Sequence, residues 1–376
     1  MNHFDFIVIG GGIAGASVAW ELQRSGSTLL LEREPLPGHH TTGRSAAFLV
    51  DSYAGPVVGK LTRAGRSFFE TPPEGFTEAP LVTPNAVLWI GRDDQRESLE
   101  KALRTGREAG AGMEPVTLAE ARKLCPVLRE EYVAGAIVEP SALHIDVAGL
   151  LESFLRAFRR LGGRVETKSG VERLERKGDS WEVDAGGRML RARVIVNAAG
   201  AWCDEVGRLA GARSIGLRPL RRTAITFDGP PGVDTRTWPL VMDADEDFYF
   251  KPEGAQLLAS PCDETPSPPC DASPDDYDVA LAADAVQRAT TLEIRHIRNR
   301  WAGLRSFVAD RSPVIGMEPE CEGFFWLAGQ GGFGIMTSPA AARAAAGLIV
   351  NGVLPDDLSK TGLTAEMLSP ARLRRG

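Results

Sequence analysis

The sequence predicts an α/β fold, in which a Rossmann-like dinucleotide-binding lobe is interleaved with an α+β lobe built on an antiparallel sheet. Three observations predict it. An apolar strand over residues 4–9 runs into Gly10-x-Gly12-x-x-Gly15 and a helical segment reaching about Ser25. The chain closes in the same order, with a strand over 324–329, the turn 330–334 and a helix from about Ser338 to Val350. Between these units, alternating runs at 220–227, 248–252 and 256–260 suit antiparallel strands of a separate sheet.

The first unit reads as a dinucleotide cradle. Gly10 allows the tight turn, Gly12 lets the backbone approach a pyrophosphate, and Gly15 lets the helix pack closely on the sheet. The helix start offers amides and a positive dipole end to phosphate. A second apolar strand over 28–31 ends at Glu32, 22 residues after Gly10, where a carboxylate can accept hydrogen bonds from ribose hydroxyls. The loop PGHHTTGRSAA (37–47) favours a backbone-rich turn that contacts an anion, with Arg44 as the charge facing it. His39 and His40 are adjacent, so on an extended chain they point apart, and no metal pair is expected.

Further along, helical periodicity covers 57–69, 93–109 and 146–161, the last with Val147, Leu150, Leu151, Phe154, Leu155 and Phe158 on one face. Thr117 and Glu120 have capping-box spacing before a short helix that stops ahead of Pro126. Strands are expected at 86–90, 132–138 and 164–168, then a meander over the sheet at 181–184 and 189–196. The meander breaks into Asn197-Ala198-Ala199-Gly200, small residues placed where a backbone comes close to something. Helices follow at 202–209 and, after a Pro-rich excursion, at 280–294. Two Gly-rich helix entries in one chain suggest the two ends of one long ligand. No repeat or clean linker is visible, so the lobes are expected to interleave, as 1–47, 145–218 and 305–376 against 48–144 and 219–304.

Composition narrows the classes. With 376 residues and 43% hydrophobic content there is material for two cores. A net charge of −7 with scattered basic residues argues against a nucleic-acid partner. Five cysteines, Cys125, Cys203, Cys262, Cys270 and Cys321, show no metal or disulfide spacing and are expected as free thiols. No run of 18 apolar residues spans a membrane. The expectation is a cytoplasmic monomer or small homo-oligomer without a metal.

Taken together, GGGIAG with Glu32, TGRSAA, VNAAGAWCD, WAGLRSF and GQGGFGI resemble the D-amino-acid oxidase (DAO-type) group of FAD-dependent oxidoreductases, and look most like bacterial D-arginine/D-amino-acid dehydrogenases. The resemblance runs over essentially the whole chain. It implies non-covalent FAD, with Gly10, Gly12, Ile13, Ala14 and Gly15 along the pyrophosphate and Glu32 on the adenosine ribose. Arg33 lies beside the adenosine and Val171 against adenine. Thr42, Gly43, Arg44, Ser45, Ala46 and Ala47 follow the phosphates and ribityl chain. Ala199, Gly200, Trp202 and Gly303 also line the cofactor, and Gly331, Gly332, Phe333, Gly334 and Ile335 approach the flavin O2 edge. There, amides at a helix N-terminus suit the negative charge of a reduced flavin. The resemblance further implies that Tyr53, Arg222, Tyr249 and Arg305 hold the substrate carboxylate. Residue chemistry agrees in part: a guanidinium suits a carboxylate, and one of Arg221 and Arg222 must point inward on an alternating strand.

The sequence departs from the arginine-preferring pattern at three places. Val87 stands where those enzymes carry a carboxylate, Phe48 where they carry His and Met336 where they carry Gln. An unpaired guanidinium buried against Val87 and Phe48 would be costly. The expected substrate is therefore a D-amino acid with an apolar or aromatic side chain. The implied reaction is oxidative deamination: hydride passes from Cα to flavin N5, and the imino acid hydrolyses to a 2-oxo acid and ammonia. Residue types leave the acceptor open among oxygen, a quinone and a carrier. The rival readings are an oxidase or dehydrogenase of secondary amino acids of the sarcosine, glycine or proline type, an NAD-dependent dehydrogenase, and a non-catalytic nucleotide-binding protein.

Overall fold

The computed structural model describes residues 3–52 and 55–374. Among these, strands form sheets of eight, nine and three strands. In the first sheet His3–Ile9 lies between Thr28–Leu31 and Arg188–Asn197, parallel to both. Arg164–Glu166 extends it beyond Thr28–Leu31, and Phe324–Ala328 pairs in parallel with the end of Arg188–Asn197. Strands covered on both faces need apolar residues at every position, and Thr28–Leu31 and Phe324–Ala328 are buried throughout. The helices Ile13–Leu22, Val147–Arg160 and Gly334–Val350 fill one core with the first face, and Cys203–Leu209 packs into the other. The strand expected over 189–196 in a meander above the sheet is instead one of its central members. Val171–Lys177 and Ser180–Ala185 extend away from it antiparallel, and Val314–Met317 pairs antiparallel with Phe324–Ala328.

The close approach anticipated at Asn197-Ala198-Ala199-Gly200 is made to Gly10. Gly10 has φ +107°, and a β-carbon there would sit 2.5 Å from the Ala198 carbonyl oxygen. The final helix starts at Gly334, a turn earlier than expected, with Pro339 inside it. Pro339 cannot donate to the Ile335 carbonyl, and the Ser338 hydroxyl does so instead at 2.9 Å, which lets the helix run through. The helix expected over 280–294 is Asp276–Ala289, capped by Asp275, whose carboxylate accepts from the Tyr277 amide at 2.9 Å.

In the nine-stranded sheet, Arg218–Asp228 pairs with Ile297–Phe307 on one side and Gln256–Ser260 on the other; Tyr249–Glu253, Leu240–Asp243 and Val87–Gly91 follow. Alternation divides its faces. Ile225, Phe227, Ala259, Phe250, Val241 and Leu88 form a core with Val279, Ala282 and Val286 of the Asp276–Ala289 helix. The opposite face carries Arg222 across from Gly303, Tyr249 across from Met242, and Leu240 across from Val87. No helix among the described residues is long and apolar enough to cross a membrane.

Candidate active site

Three adjoining cavities lie along the end of the parallel sheet and over this second face. The first, of about 290 Å³, is lined by Gly10, Gly12, Glu32, Arg33, Thr42, Val171, Ala199, Gly200 and Trp202. The Glu32 carboxylate is held in place by the Gly11 and Glu34 amides, which donate to its two oxygens at 2.8 Å each. Each oxygen keeps a further lone pair. The Arg33 guanidinium lies 4.5 Å from the Trp202 ring centre.

A second cavity, of about 160 Å³, shares Gly12, Thr42 and Gly200 with the first. It continues past Ile13, Ala14, Arg44, Ser45, Ala46 and Ala47 to Gly303, Gly331, Gly332, Gly334 and Ile335, and it includes Arg222, Tyr249 and Arg305. A third, of about 80 Å³, shares Ala46, Ala47, Tyr249, Arg305, Gly332 and Ile335 with the second. Beyond them it is walled by Phe48, Val50, Val87, Trp89, Leu240, Met242, Phe333 and Met336. The three apolar departures, Phe48, Val87 and Met336, therefore meet in one pocket.

Two expected cofactor contacts do not reach a cavity wall. Gly15 backs onto the Gly10 carbonyl, where a β-carbon would lie 1.8 Å from the oxygen, so its task is helix-on-sheet packing. Gly43 folds back on Gly38, and its amide donates to the Gly38 carbonyl at 2.8 Å. Tyr53 lies outside the described residues. His39 and His40 do not point apart: a turn brings their rings to 4.8 Å, and His40 Nε2 shares a 2.9 Å hydrogen bond with Glu34.

Arg44 was expected to face an anion, yet its guanidinium is engaged elsewhere. It donates to the Ala272 and Ala302 carbonyls at 2.9 and 2.8 Å and pairs with Asp271. The same loop is joined to the Ile297–Phe307 strand twice more. Thr41 Oγ1 donates to the Leu304 carbonyl at 2.8 Å and Trp301 Nε1 to the Arg44 carbonyl at 3.1 Å.

Arg222 and Arg305 occupy the same face of neighbouring strands, two positions apart in register. Arg222 Nε donates to the Asp263 carbonyl at 2.9 Å, and its Nη2 lies 3.4 Å from Glu264. Arg305 lies against Gly332, with its Cζ 5.8 Å from the Phe333 ring centre. Burial pushes the Tyr249 phenol up from its ordinary pKa, the nearby Cys262 adds to this, and Arg222 and Arg305 pull it back. It remains a protonated donor at neutral pH.

The residues fit an extended dinucleotide. A continuous cleft has glycine backbone at its waist, an anchored carboxylate at one end, and a Gly-rich helix entry at the other. Sequence reasoning missed the walls supplied by His39, His40 and Ser169 in the first cavity and by Trp89, Leu240 and Met242 in the third. The last three had a readable signal: Trp89 lies two residues along the strand from Val87, Leu240 lies across from Val87, and Met242 lies across from Trp89.

Fold and cleft together define a dinucleotide-binding protein of the flavoenzyme class with a small-molecule pocket beside the cofactor end. The chain belongs to the DAO family, "FAD dependent oxidoreductase", whose family profile matches residues 5–348. FAD is accordingly the cofactor of this chain. Mouse sarcosine dehydrogenase is 26% identical over 92% of this chain. This chain spans only 39% of that enzyme's length. Glycine oxidase of Geobacillus kaustophilus is 23% identical over 97% of this chain and 98% of its own. The L-proline dehydrogenase structure from P. horikoshii superimposes with a TM-score of 0.84 at 20% identity, covering 99% of this chain and 98% of its own. That likeness is one of fold.

Proposed function

We propose that this chain oxidises the Cα–N bond of a free amino acid whose side chain is apolar or aromatic, with the D enantiomer as the preferred form. The observation that carries this is the position of Arg222, Tyr249 and Arg305 on the cofactor cleft, with Tyr249 and Arg305 also lining the adjoining, largely apolar pocket. In this reading the two guanidiniums hold the carboxylate and the Tyr249 hydroxyl donates to it, fixing Cα at the cleft. Tyr53 is assigned to the same task through the family resemblance alone. Phe48, Val87 and Met336 receive the side chain and exclude water. FAD, when bound, supplies the acceptor for the electron pair and hydrogen leaving Cα. The oxidised carbon–nitrogen bond then hydrolyses to a 2-oxo acid and ammonia.

Glu32 and Arg33 are assigned to the adenosine half, the 42–47 loop to the phosphates and ribityl chain, and Gly331 to Ile335 to the flavin. The lobes proposed are 1–47, 145–218 and 305–376 for cofactor, and 48–144 and 219–304 for substrate. A cytoplasmic location is part of the same proposal.

A second reading takes its support from the names of the relatives: a secondary or unbranched substrate such as sarcosine, glycine or proline. Against it stands the third pocket, which glycine or sarcosine would leave unfilled, forfeiting the contacts that favour binding. Anaerobic titration of the flavin with D-, L- and N-methyl amino acids separates the readings. Bleaching fastest with D-leucine, D-methionine or D-phenylalanine supports the first, and fastest with sarcosine, glycine or proline the second. Highest kcat/KM with D-arginine defeats the side-chain assignment. Readmitting air then tests oxygen as acceptor.

A further inference from the structure

The chain beside Arg222 departs from regular strand pairing. Ile225 faces Ala259 and Arg221 faces Thr265, so four steps along one strand correspond to six along its neighbour. The two extra residues lie in a turn where Cys262 takes a left-handed backbone, with φ +53°. Such an excess bends the chain and re-aims the side chains around it.

Asp263, within this turn, is tied to two consecutive residues of the Arg218–Asp228 strand. Its carboxylate accepts from the Thr223 amide at 2.6 Å and from the Thr223 hydroxyl at 3.1 Å. Its carbonyl accepts from Arg222 Nε at 2.9 Å. The side chain is 5% exposed, so these bonds compete little with water. Arg221 Nε lies 3.8 Å from the same carboxylate, but Arg221 has a closer partner in Asp278 at 2.8 Å. Glu264 holds Arg222 only loosely, at 3.4 Å, and is itself paired with Arg311 at 2.7 Å. Arg222 Nη1 has no protein partner among the described residues and keeps accessible surface, on a side chain that lines the cofactor cleft.

We infer that Asp263 is a positioning residue for substrate binding: by clamping Thr223 it fixes its own carbonyl against Arg222 Nε, which holds the guanidinium with Nη1 open to the substrate carboxylate. A loose arginine loses rotamer freedom when it grips a ligand. One that is held beforehand loses less, and the ligand binds more tightly. The inference rests on the carboxylate role proposed above for Arg222 and deepens it.

The test titrates the holoenzyme with 4-methylpentanoate, which is leucine without its amine, and reads the dissociation constant from the flavin spectrum. Arg222→Ala should weaken binding about tenfold or more, and Asp263→Ala about three- to tenfold. The double variant should bind no more than about twofold more weakly than Arg222→Ala, because residues that act through one contact are not additive. Asp263→Asn, which keeps an acceptor for the Thr223 amide, should recover most of the lost affinity. FAD should stay bound in every variant. Where Asp263→Ala does not fold, Thr223→Val withdraws one of the two bonds at constant shape and carries the same cycle. The inference is overturned by effects that multiply in the double variant, since a merely structural residue would behave so. Unaltered affinity in Asp263→Ala, loss of FAD from it, or an Asp263→Asn that binds no better also overturns it. These results leave the proposed function standing. An Arg222→Ala variant that binds the ligand as the unaltered chain does, or an unaltered chain that does not bind it, removes both.

Discussion

A β-carbon built on Gly332 would fall 2.1 Å from the guanidinium of Arg305. The two residues come from opposite ends of the site, one from the turn before the last helix and one from a strand of the second sheet. Gly331 ties them together, because its amide donates to the Ser306 carbonyl at 2.9 Å. Gly332→Ala should therefore push Arg305 off its position while leaving the adenosine end untouched. The expected result is a rise in KM of roughly tenfold or more for amino acids, the cost of a displaced charge-assisted contact. Arg305→Ala should act in the same direction, with FAD still bound in the purified protein. Loss of FAD with unchanged KM would contradict the role proposed for Arg305.

Val87 is 1% exposed and sits across from Leu240 in a pocket without a formal charge beyond its mouth. Val87→Glu buries a carboxylate there, at an expected cost of about 2–4 kcal/mol in unfolding free energy. It should also turn the kcat/KM ratio of arginine to leucine toward arginine by about tenfold or more, because a guanidinium then finds a partner. Denaturant melts and a two-substrate comparison check both arms.

Glu139 lies across from Val87 and is fully buried. It accepts from the Asp51 amide at 2.9 Å and from the Ser52 hydroxyl, fixing the segment that follows Val50. Burial raises the carboxyl pKa of both Glu139 and Asp51, only partly offset for Asp51 by Arg66. The folded chain thus holds these protons more tightly than the unfolded chain. Stability should fall as pH rises from the ordinary carboxylate range through the raised values, then level off. Glu139→Gln should remove part of that slope between about pH 4 and pH 8. Urea midpoints across this range decide; an unchanged slope would remove Glu139 as the source.

The described cysteines are all free thiols. Burial pushes Cys125 up to about 12 and Cys262 up to about 11, and it drives Cys203 upward as well. In the native holoenzyme at neutral pH, a thiol reagent should react promptly with no more than Cys270 and Cys321, and with all five after denaturation. Fast labelling of Cys203 would indicate opening of the cofactor lobe.

The cradle was legible because its constraints are local. Gly10, Gly12 and Glu32 lie within one strand–helix–strand unit, and spacing alone brings them together. The same holds for Thr117 with Glu120 and for the stripe from Leu150 to Phe158. The start of the last helix was misread because Pro339 looks like a barrier, and only the Ser338 hydroxyl shows how it is tolerated. The partners of Arg44 were not legible for a different reason: Asp271 and Ala302 are more than 200 residues away, and no periodicity reports such a contact. The close packing of Gly15 on Gly10 was legible from its position in the motif. In the second sheet, alternation identified strands without saying which face met the cofactor lobe. That depended on the pairing of Arg222 with Gly303, a long-range register.

The three hydrogen bonds that staple the loop at Thr41 and Arg44 to Trp301, Ala302 and Leu304 have a thermodynamic consequence. The loop lines the cofactor cleft, and the stapled strand carries Arg305. A ligand that orders one therefore orders the other. Binding at the two positions is then expected to be cooperative, and cooperativity in affinity is reciprocal. Whatever factor FAD contributes to amino-acid affinity, a bound amino acid must return to FAD retention. An amino acid is expected to lower the equilibrium dissociation constant of FAD by the same factor by which the flavin-free chain binds that amino acid more weakly.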